Sequence, residues 1–325
     1  MNIEKYHIGK ICEKHGYDLI DFEILGAGMG AFNLNYLLQT KQGKFVLRIE
    51  IVKTFRNKKQ EFEILKMLKG RFGPKVYHFD DSGAIIDADY LIEEFIEFGD
   101  HPPPEASKEF IIATGEFYKK LHSIKVKISE TKDYLQYYIL PGFEEDLIIV
   151  RKHLHLLSDE LKEITDLYYQ EAAKIITENN DLFSNRTEMS LCQGDPTRRN
   201  IFYKKNEVTE KAEVKLVDWE MARYQIREWD LAFFVWAYDL QLEDKKLFLN
   251  IAGYPETDLS EKQFNIVYLL HCLGIQSWMI GRLQLVDEGK ISSKLSSSSK
   301  EDLLDSIREN NTLIRAALVS LGWTL

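Results

Sequence analysis

The stretch LCQGDPTRRNIFYKK, Leu191 to Lys205, sets an aspartate and an asparagine on a loop between two apolar runs. Asp195 and Asn200 are separated by four residues, the D-x-x-x-x-N spacing of a phosphoryl-transfer loop. In that chemistry a carboxylate accepts or orients the proton of an attacking hydroxyl, and oxygen ligands hold magnesium against the phosphates. A second metal ligand is then expected on the far strand of a hairpin, where VKLVDWE supplies Asp218, with Glu220 close by. Two carboxylates and a carboxamide are hard-oxygen donors suited to magnesium. Any one of the three is explained equally well as a cap or a turn residue; the ordered set is not.

Two features upstream fit the same chemistry. LGAGMGAFN places Gly26, Gly28 and Gly30 between two strand-like runs, where backbone N–H groups can approach an anion. A strand-like segment follows the glycines, so the helix that a dinucleotide fold requires is missing, and a phosphate-covering hairpin remains. In FVLRIEI, Arg48 sits among apolar neighbours and needs a carboxylate or phosphate partner. Glu61, on the helix that follows, is the natural carboxylate, and the pair could orient Arg48 toward nucleotide phosphates. A snorkelling arginine is the plainer alternative.

These residues must be positioned by two kinds of structure. The first hundred residues are strand-rich: YDLIDFEIL, FNLNYLLQT and GKFVLRIEI, the last two joined by a KQG turn, then two strands within YHFDDSGAIIDADYLIEEFIE. Between them, Phe62, Leu65, Leu68 and Phe72 recur near the 3.6 period, with Gly73 beyond, and predict a helix. GDHPPPEAS is Gly/Pro-rich punctuation. The expected division is an N-terminal nucleotide-binding lobe over residues 1–98, a linker over 99–107 and a helical lobe over 108–325. Helices are expected over 107–124, 144–179, 261–281 and 300–321, with a hairpin around 201–219. KISSKLSSSSK is low-complexity loop.

With 325 residues, 45% of them hydrophobic, two substantial cores are affordable. The formal net charge of −10 argues against a nucleic-acid footprint. Cys12, Cys192 and Cys272 are far apart and lack CxxC spacing, which points to reduced thiols in a cytoplasmic protein. FNIVYLLHCLGIQSWMIG approaches membrane-spanning length, but polar interruptions and Arg282 mark it as a core helix, so no membrane partner is expected. No protein partner is evident.

On its motifs the chain resembles the aminoglycoside phosphotransferase and choline kinase superfamily of small-molecule kinases. The glycine loop, FVLRIEI, the Glu61 helix, the hinge-like LIEEFIEFGD, EFYKKLHSI, LCQGDPTRRNI and LVDWEMARYQIREWDLAFF carry the likeness. The last two are specific, matching H-G-D-x-x-x-x-N, I-D-W-E and D-L-A. The resemblance implies an α+β, bilobal protein-kinase-like fold with a small β-rich lobe and a larger, mainly helical lobe. It implies Mg2+ and ATP (or GTP), with Asp195 as catalytic base, Asn200 and Asp218 as metal ligands, and Asp230 bracing the catalytic loop. Gly28, Gly30, Arg48 and Glu61 would serve the phosphates, and backbone groups of Glu93, Glu94 and Phe95 the adenine.

Gln193 stands where the family has a loop-propping histidine, though an amide also donates and accepts. Thr197 occupies the position where protein kinases carry a lysine; Arg198 or Arg199 could supply that charge, and both could equally be surface cations. Eleven residues separate Asp218 from Asp230, leaving no room for the activation segment on which a peptide substrate lies. A small hydroxyl compound is the expected acceptor. Acidic residues in 142–171 and the aromatics after Asp230 would suit an aminoglycoside, choline or another amine, or form a solvated face and a packed core. Glu220, Trp278 and Arg282 are further pocket candidates. A nucleotide-binding pseudokinase or a spore-coat-like structural protein is the second reading, and Gln193 is its one support. A kinase acting on a protein-bound or polymeric acceptor is a third.

Overall fold

The computed structural model describes residues 5–25, 33–50, 58–97, 106–127, 140–179, 181–184, 186–205, 212–290 and 299–324. Gly26, Gly28, Gly30 and nearly all of the proposed linker lie outside them. The chain begins with α1 (Lys5–Lys14), β1 (Leu19–Leu25), β2 (Asn33–Thr40), β3 (Gly43–Glu50), α2 (Lys58–Leu68), β4 (Val76–Asp80) and β5 (Tyr90–Glu94). Then come α3 (Lys108–Leu121), β6 (Lys125–Lys127), α4 (Leu140–His153), α5 (Asp159–Glu178) and β7 (Glu188–Cys192). The rest comprises β8 (Ile201–Lys205), β9 (Ala212–Leu216), β10 (Arg223–Gln225), α6 (Glu228–Ala237), α7 (Leu242–Ile251), α8 (Asp258–Asp287) and α9 (Lys300–Ser320). The expected β-rich N-terminal part and mainly helical C-terminal part are both present.

Two compact units result: residues 1–105 with 193–223, and residues 106–192 with 224–325. The first is built on a five-stranded sheet in the order β1-β2-β3-β5-β4. β2 and β3 form a hairpin whose register, Thr40↔Gly43 through Asn33↔Glu50, follows the KQG turn. Ile8, Ile11 and Cys12 fall on one face of α1 and pack with Tyr36, Leu38, Phe45 and Tyr90. β8 and β9 form the second hairpin, pairing Ile201 with Leu216. It joins the first unit, because Leu216 N donates to Phe72 O at 2.8 Å just past α2.

The second unit is helical apart from the small β10-β7-β6 sheet. Ser107 caps α3 by accepting from Phe110 N, and Ser299 and Asp302 form a capping box at the start of α9. The single helix expected over 144–179 is instead two, α4 and α5, separated by a 3-10 turn at Leu154–Leu156. Ser158 takes an extended N-cap conformation, and Asp159 and Glu160 then occupy the first turn of α5, where acids favour a fresh helix start. α8 is long and apolar enough to cross a membrane, but 72% of its most apolar window is buried within the protein. It is a core helix. The aromatics after Asp230 are core as well: Phe234 is fully buried and packs with Phe110, Tyr238 and Phe248.

His271 on α8 lies in this aromatic layer, its ring centroid 3.9 Å from that of Phe233. Burial pushes its pKa down to about 3 from an ordinary 6.5. A depressed folded pKa means the contribution is fully present above pH 6.5 and is lost as pH falls toward 3. Urea titrations should therefore show wild-type stability dropping by roughly 2 kcal/mol more between pH 7 and 5 than that of His271→Leu. Equal slopes for the two proteins would contradict this assignment.

Candidate active site

The first unit brings Asp195, Asn200 and Asp218 to one end of the β8–β9 hairpin. Asn200 closes a short 3-10 turn, Arg198–Asn200, immediately before β8. Its Nδ2 donates to Asp195 O at 2.9 Å and to Asp195 Oδ2 at 3.2 Å. Its carbonyl accepts from Val217 N at 2.9 Å, so Asn200 ties the loop to the strand end that carries Asp218. With Nδ2 committed to the loop, Oδ1 is the atom left to serve a cation. Asp218 has a left-handed φ of 58°, a conformation that aspartate tolerates better than most residues.

Gln193 holds this turn from beneath and is fully buried. Its Nε2 donates to Val217 O at 3.1 Å and to Asp218 O at 2.7 Å, while its Oε1 accepts from Asp195 N at 2.9 Å. One side chain thus joins the backbone on both sides of the site. Gly194, at φ +90°, lies so close to Met221 that a Cβ would meet Met221 O at 2.6 Å. The loop can pass there only as glycine.

Arg48 reaches the same place from β3. Its Nη1 donates to Glu61 Oε1 at 2.5 Å, and its Nη2 to Asp218 Oδ1 at 2.7 Å. Glu61 Oε1 also accepts from Trp219 N at 3.1 Å, tying α2 to the residue after Asp218. Trp219 is fully buried, with Nε1 donating to Leu216 O. A Cβ on Gly73 would strike that indole and come within 2.7 Å of Leu216 O. Arg48 is 4% exposed; burial opposes its charge, but Glu61, Asp218, Glu93 and Glu220 together raise its pKa well above the ordinary value.

Glu93 was expected to act through its backbone, and its β5 amide region is paired with Val46 of β3. Its side chain, however, enters the buried charge cluster, with Oε2 3.9 Å from Arg48 Nη1. Burial pushes the Glu93 carboxyl up to about 7; Arg48 and Lys58 pull it down and Glu61 pushes it further up. Glu94 points the other way, accepting from Lys75 N at 3.0 Å. Lys44 lies over the Phe95 ring at 5.7 Å. Glu220 Oε2 accepts from Asn33 Nδ2 at 2.9 Å, linking it to the first residue of β2. Arg198 and Arg199 are exposed on their turn.

Asp230 belongs to the second unit, where it is fully buried and its Oδ2 lies 3.1 Å from His122 Nε2. His122 lies within the EFYKKLHSI motif, so its place in the sequence was visible while its partner was not. Ligand atoms of His122, Cys192 and Asp230 lie within 4.8 Å of one another. Trp278 and Arg282 meet each other on α8, guanidinium over indole at 5.3 Å. Lys58 and Trp219 were not singled out from the sequence. The W of D-W-E was the available signal for Trp219, and Lys58 had none.

The donor set suits a hard divalent cation. Asp218, Asn200 and Asp195 offer oxygens only, carried on a backbone turn fixed by Gln193.

A family model described as the phosphotransferase enzyme family matches residues 23–255. The chain belongs to this family. The match spans the Glu61 helix, the β8–β9 hairpin and Asp230 together. Solved structures share the kinase-like fold at low identity. A choline kinase from Streptococcus pneumoniae is 16% identical with a TM-score of 0.65, over 98% of this chain and 99% of that one. A choline/ethanolamine kinase family protein from Mesorhizobium loti is 15% identical, TM-score 0.64, over 97% and 99%. A spectinomycin phosphotransferase in complex with ADP and spectinomycin is 12% identical, TM-score 0.60, over 99% and 98%. No curated protein matches in sequence.

Replacing Gln193 with leucine would leave Val217 O, Asp218 O and Asp195 N without their partner in a buried place. Chemical denaturation should show a loss of about 3 kcal/mol. Gln193→His, which can both donate and accept, should lose less than half of that. Equal losses for the two variants would show that the hydrogen bonds are not what Gln193 contributes.

Proposed function

We propose that this phosphotransferase is a magnesium-dependent kinase that moves the γ-phosphoryl group of ATP (or GTP) to a hydroxyl of a small molecule. The observation that carries the reading is the bonding of Asn200 to Asp195 beside an Asp218 held by Arg48. It joins a base and a metal-type oxygen pair at one end of the β8–β9 hairpin to a phosphate-type cation that reaches in from β3. Asp195 orients the acceptor hydroxyl and takes its proton as the oxygen bonds to the γ-phosphorus. The bond from phosphorus to the bridging oxygen breaks, and the nucleoside diphosphate leaves with that electron pair. Asn200 and Asp218 would hold magnesium, which when bound would supply charge neutralisation at the phosphates.

In this reading Arg48 turns its guanidinium to the phosphates while Glu61 orients it. Gly28 and Gly30 offer backbone donors to the same phosphates, and the backbone of Glu93, Glu94 and Phe95 receives the base. Asp230, paired with His122, keeps the structural role that the resemblance gives it. A cytoplasmic location fits the free, buried cysteines. Relatives named for choline and spectinomycin support a small acceptor, and an amine-bearing alcohol is the class we favour. Arg198 and Arg199 are candidates for the transferred phosphoryl group, and Trp278 and Arg282 for the acceptor. The pseudokinase reading rested on Gln193, whose three bonds do the propping that a histidine would do.

The test is ADP release with magnesium-ATP over a panel of hydroxyl compounds, amines and sugars included. An acceptor-stimulated rate should fall at least 100-fold in Asp195→Asn, the scale of general-base catalysis. A rate that Asp195→Asn leaves intact would overturn the assignment of the base.

A further inference from the structure

The charge cluster around Arg48 contains more acid than one guanidinium can serve. Glu61, Asp218 and Glu93 approach Arg48 at 2.5, 2.7 and 3.9 Å. The same pocket holds a second cation, Lys58, the first residue of α2. Lys58 is 5% exposed, and its Nζ lies 3.7 Å from Glu61 Oε2, beyond hydrogen-bond range. Among the described residues, Lys58 Nζ, Glu61 Oε2 and Glu93 Oε2 are all buried without a hydrogen-bond partner. Burying an ammonium without a hydrogen bond is costly, so such a lysine is retained where another state of the site uses it.

In the proposed reaction Arg48 must leave its carboxylates for the phosphates. Asp218 would then serve the metal, but Glu61 and Glu93 would be stranded in a buried place, with Glu61 keeping its bond from Trp219 N. Lys58 Nζ is one short side-chain movement from Glu61 Oε2, and near enough to Glu93 to favour its charged form. Its position at the positive end of α2 adds to the same field.

We propose that Lys58 is a positioning residue, the counter-ion that takes over Glu61 and Glu93 when Arg48 turns to the nucleotide phosphates. The inference rests on the kinase reading and deepens it: the strand cation does not act alone but is exchanged against a second one. Lys58 touches no substrate. It sets the free-energy difference between Arg48 bound to its own carboxylates and Arg48 bound to phosphate.

The experiment is calorimetric ADP binding, without a phosphoryl acceptor, for the wild type, Lys58→Met, Lys58→Arg and Lys58→Met/Glu93→Gln. Without Lys58, the carboxylates grip Arg48 harder, and ADP affinity should fall about tenfold, the scale of one charged hydrogen bond. Lys58→Arg should stay within about threefold of wild type. Removing one carboxylate charge in the double variant should restore most of the affinity, which a role in packing alone would not do. ADP binding unchanged in Lys58→Met, or a loss that Glu93→Gln does not relieve, would overturn the role. A wild-type chain that binds no ADP would overturn the kinase reading itself, and this role with it.

Discussion

The contact on which the rest of this site depends is Glu61 Oε1, which accepts at once from Arg48 Nη1 and from Trp219 N. That one oxygen joins β3, α2 and the strand end bearing Asp218. Buried ion pairs are poor sources of stability, because desolvation cancels much of the attraction. What this one supplies is register: with Glu61 fixed, Arg48 Nη2 falls on Asp218, and Asp218 is held in a left-handed conformation. A cheaper apolar cluster would leave that carboxylate without a defined direction. The cost is visible in neighbouring groups, in the raised pKa of Glu93 and in polar atoms left without partners.

A second fastening acts from the opposite side. Gln193 bonds two carbonyls of the Asp218 turn and the amide of Asp195, so the loop bearing Asp195 and the strand end bearing Asp218 are tied to each other. Asn200 adds a third tie at the hairpin base. These bonds are short-range and partly buried, where a lowered local dielectric strengthens them. A glutamine and an asparagine therefore position two carboxylates with no side-chain charge of their own, leaving the field of the site to Arg48, Lys58 and whatever ligand arrives.

Much of this was legible because the site is local. Asp195, Asn200 and Asp218 lie on one loop and its hairpin, so spacing alone places them together, and strand pairing of Ile201 with Leu216 does the rest. Arg48 and Glu61 could be paired by asking what a buried cation requires. Other features depend on contacts that spacing does not encode. β6 and β10 are three residues long, too short for alternation to show. The break between α4 and α5 was signalled by Ser158 and the acids after it, but apolar periodicity ran through it. β5 ends in two consecutive glutamates, and strand alternation requires that they face opposite ways; only the fold shows that Glu93 is the inward one. Lys58, at the start of an amphipathic helix, reads as a solvated cation until the burial of its ammonium is seen.

The claim that matters most is that this architecture transfers a phosphoryl group to a small hydroxyl compound. Phosphorus NMR of the chain with magnesium-ATP and the best-binding acceptor tests it directly, because it identifies the phosphorus-containing product. The account predicts a new phosphate monoester resonance growing in step with ADP and little inorganic phosphate. Inorganic phosphate alone, or ATP left unchanged by every acceptor that binds, would contradict it.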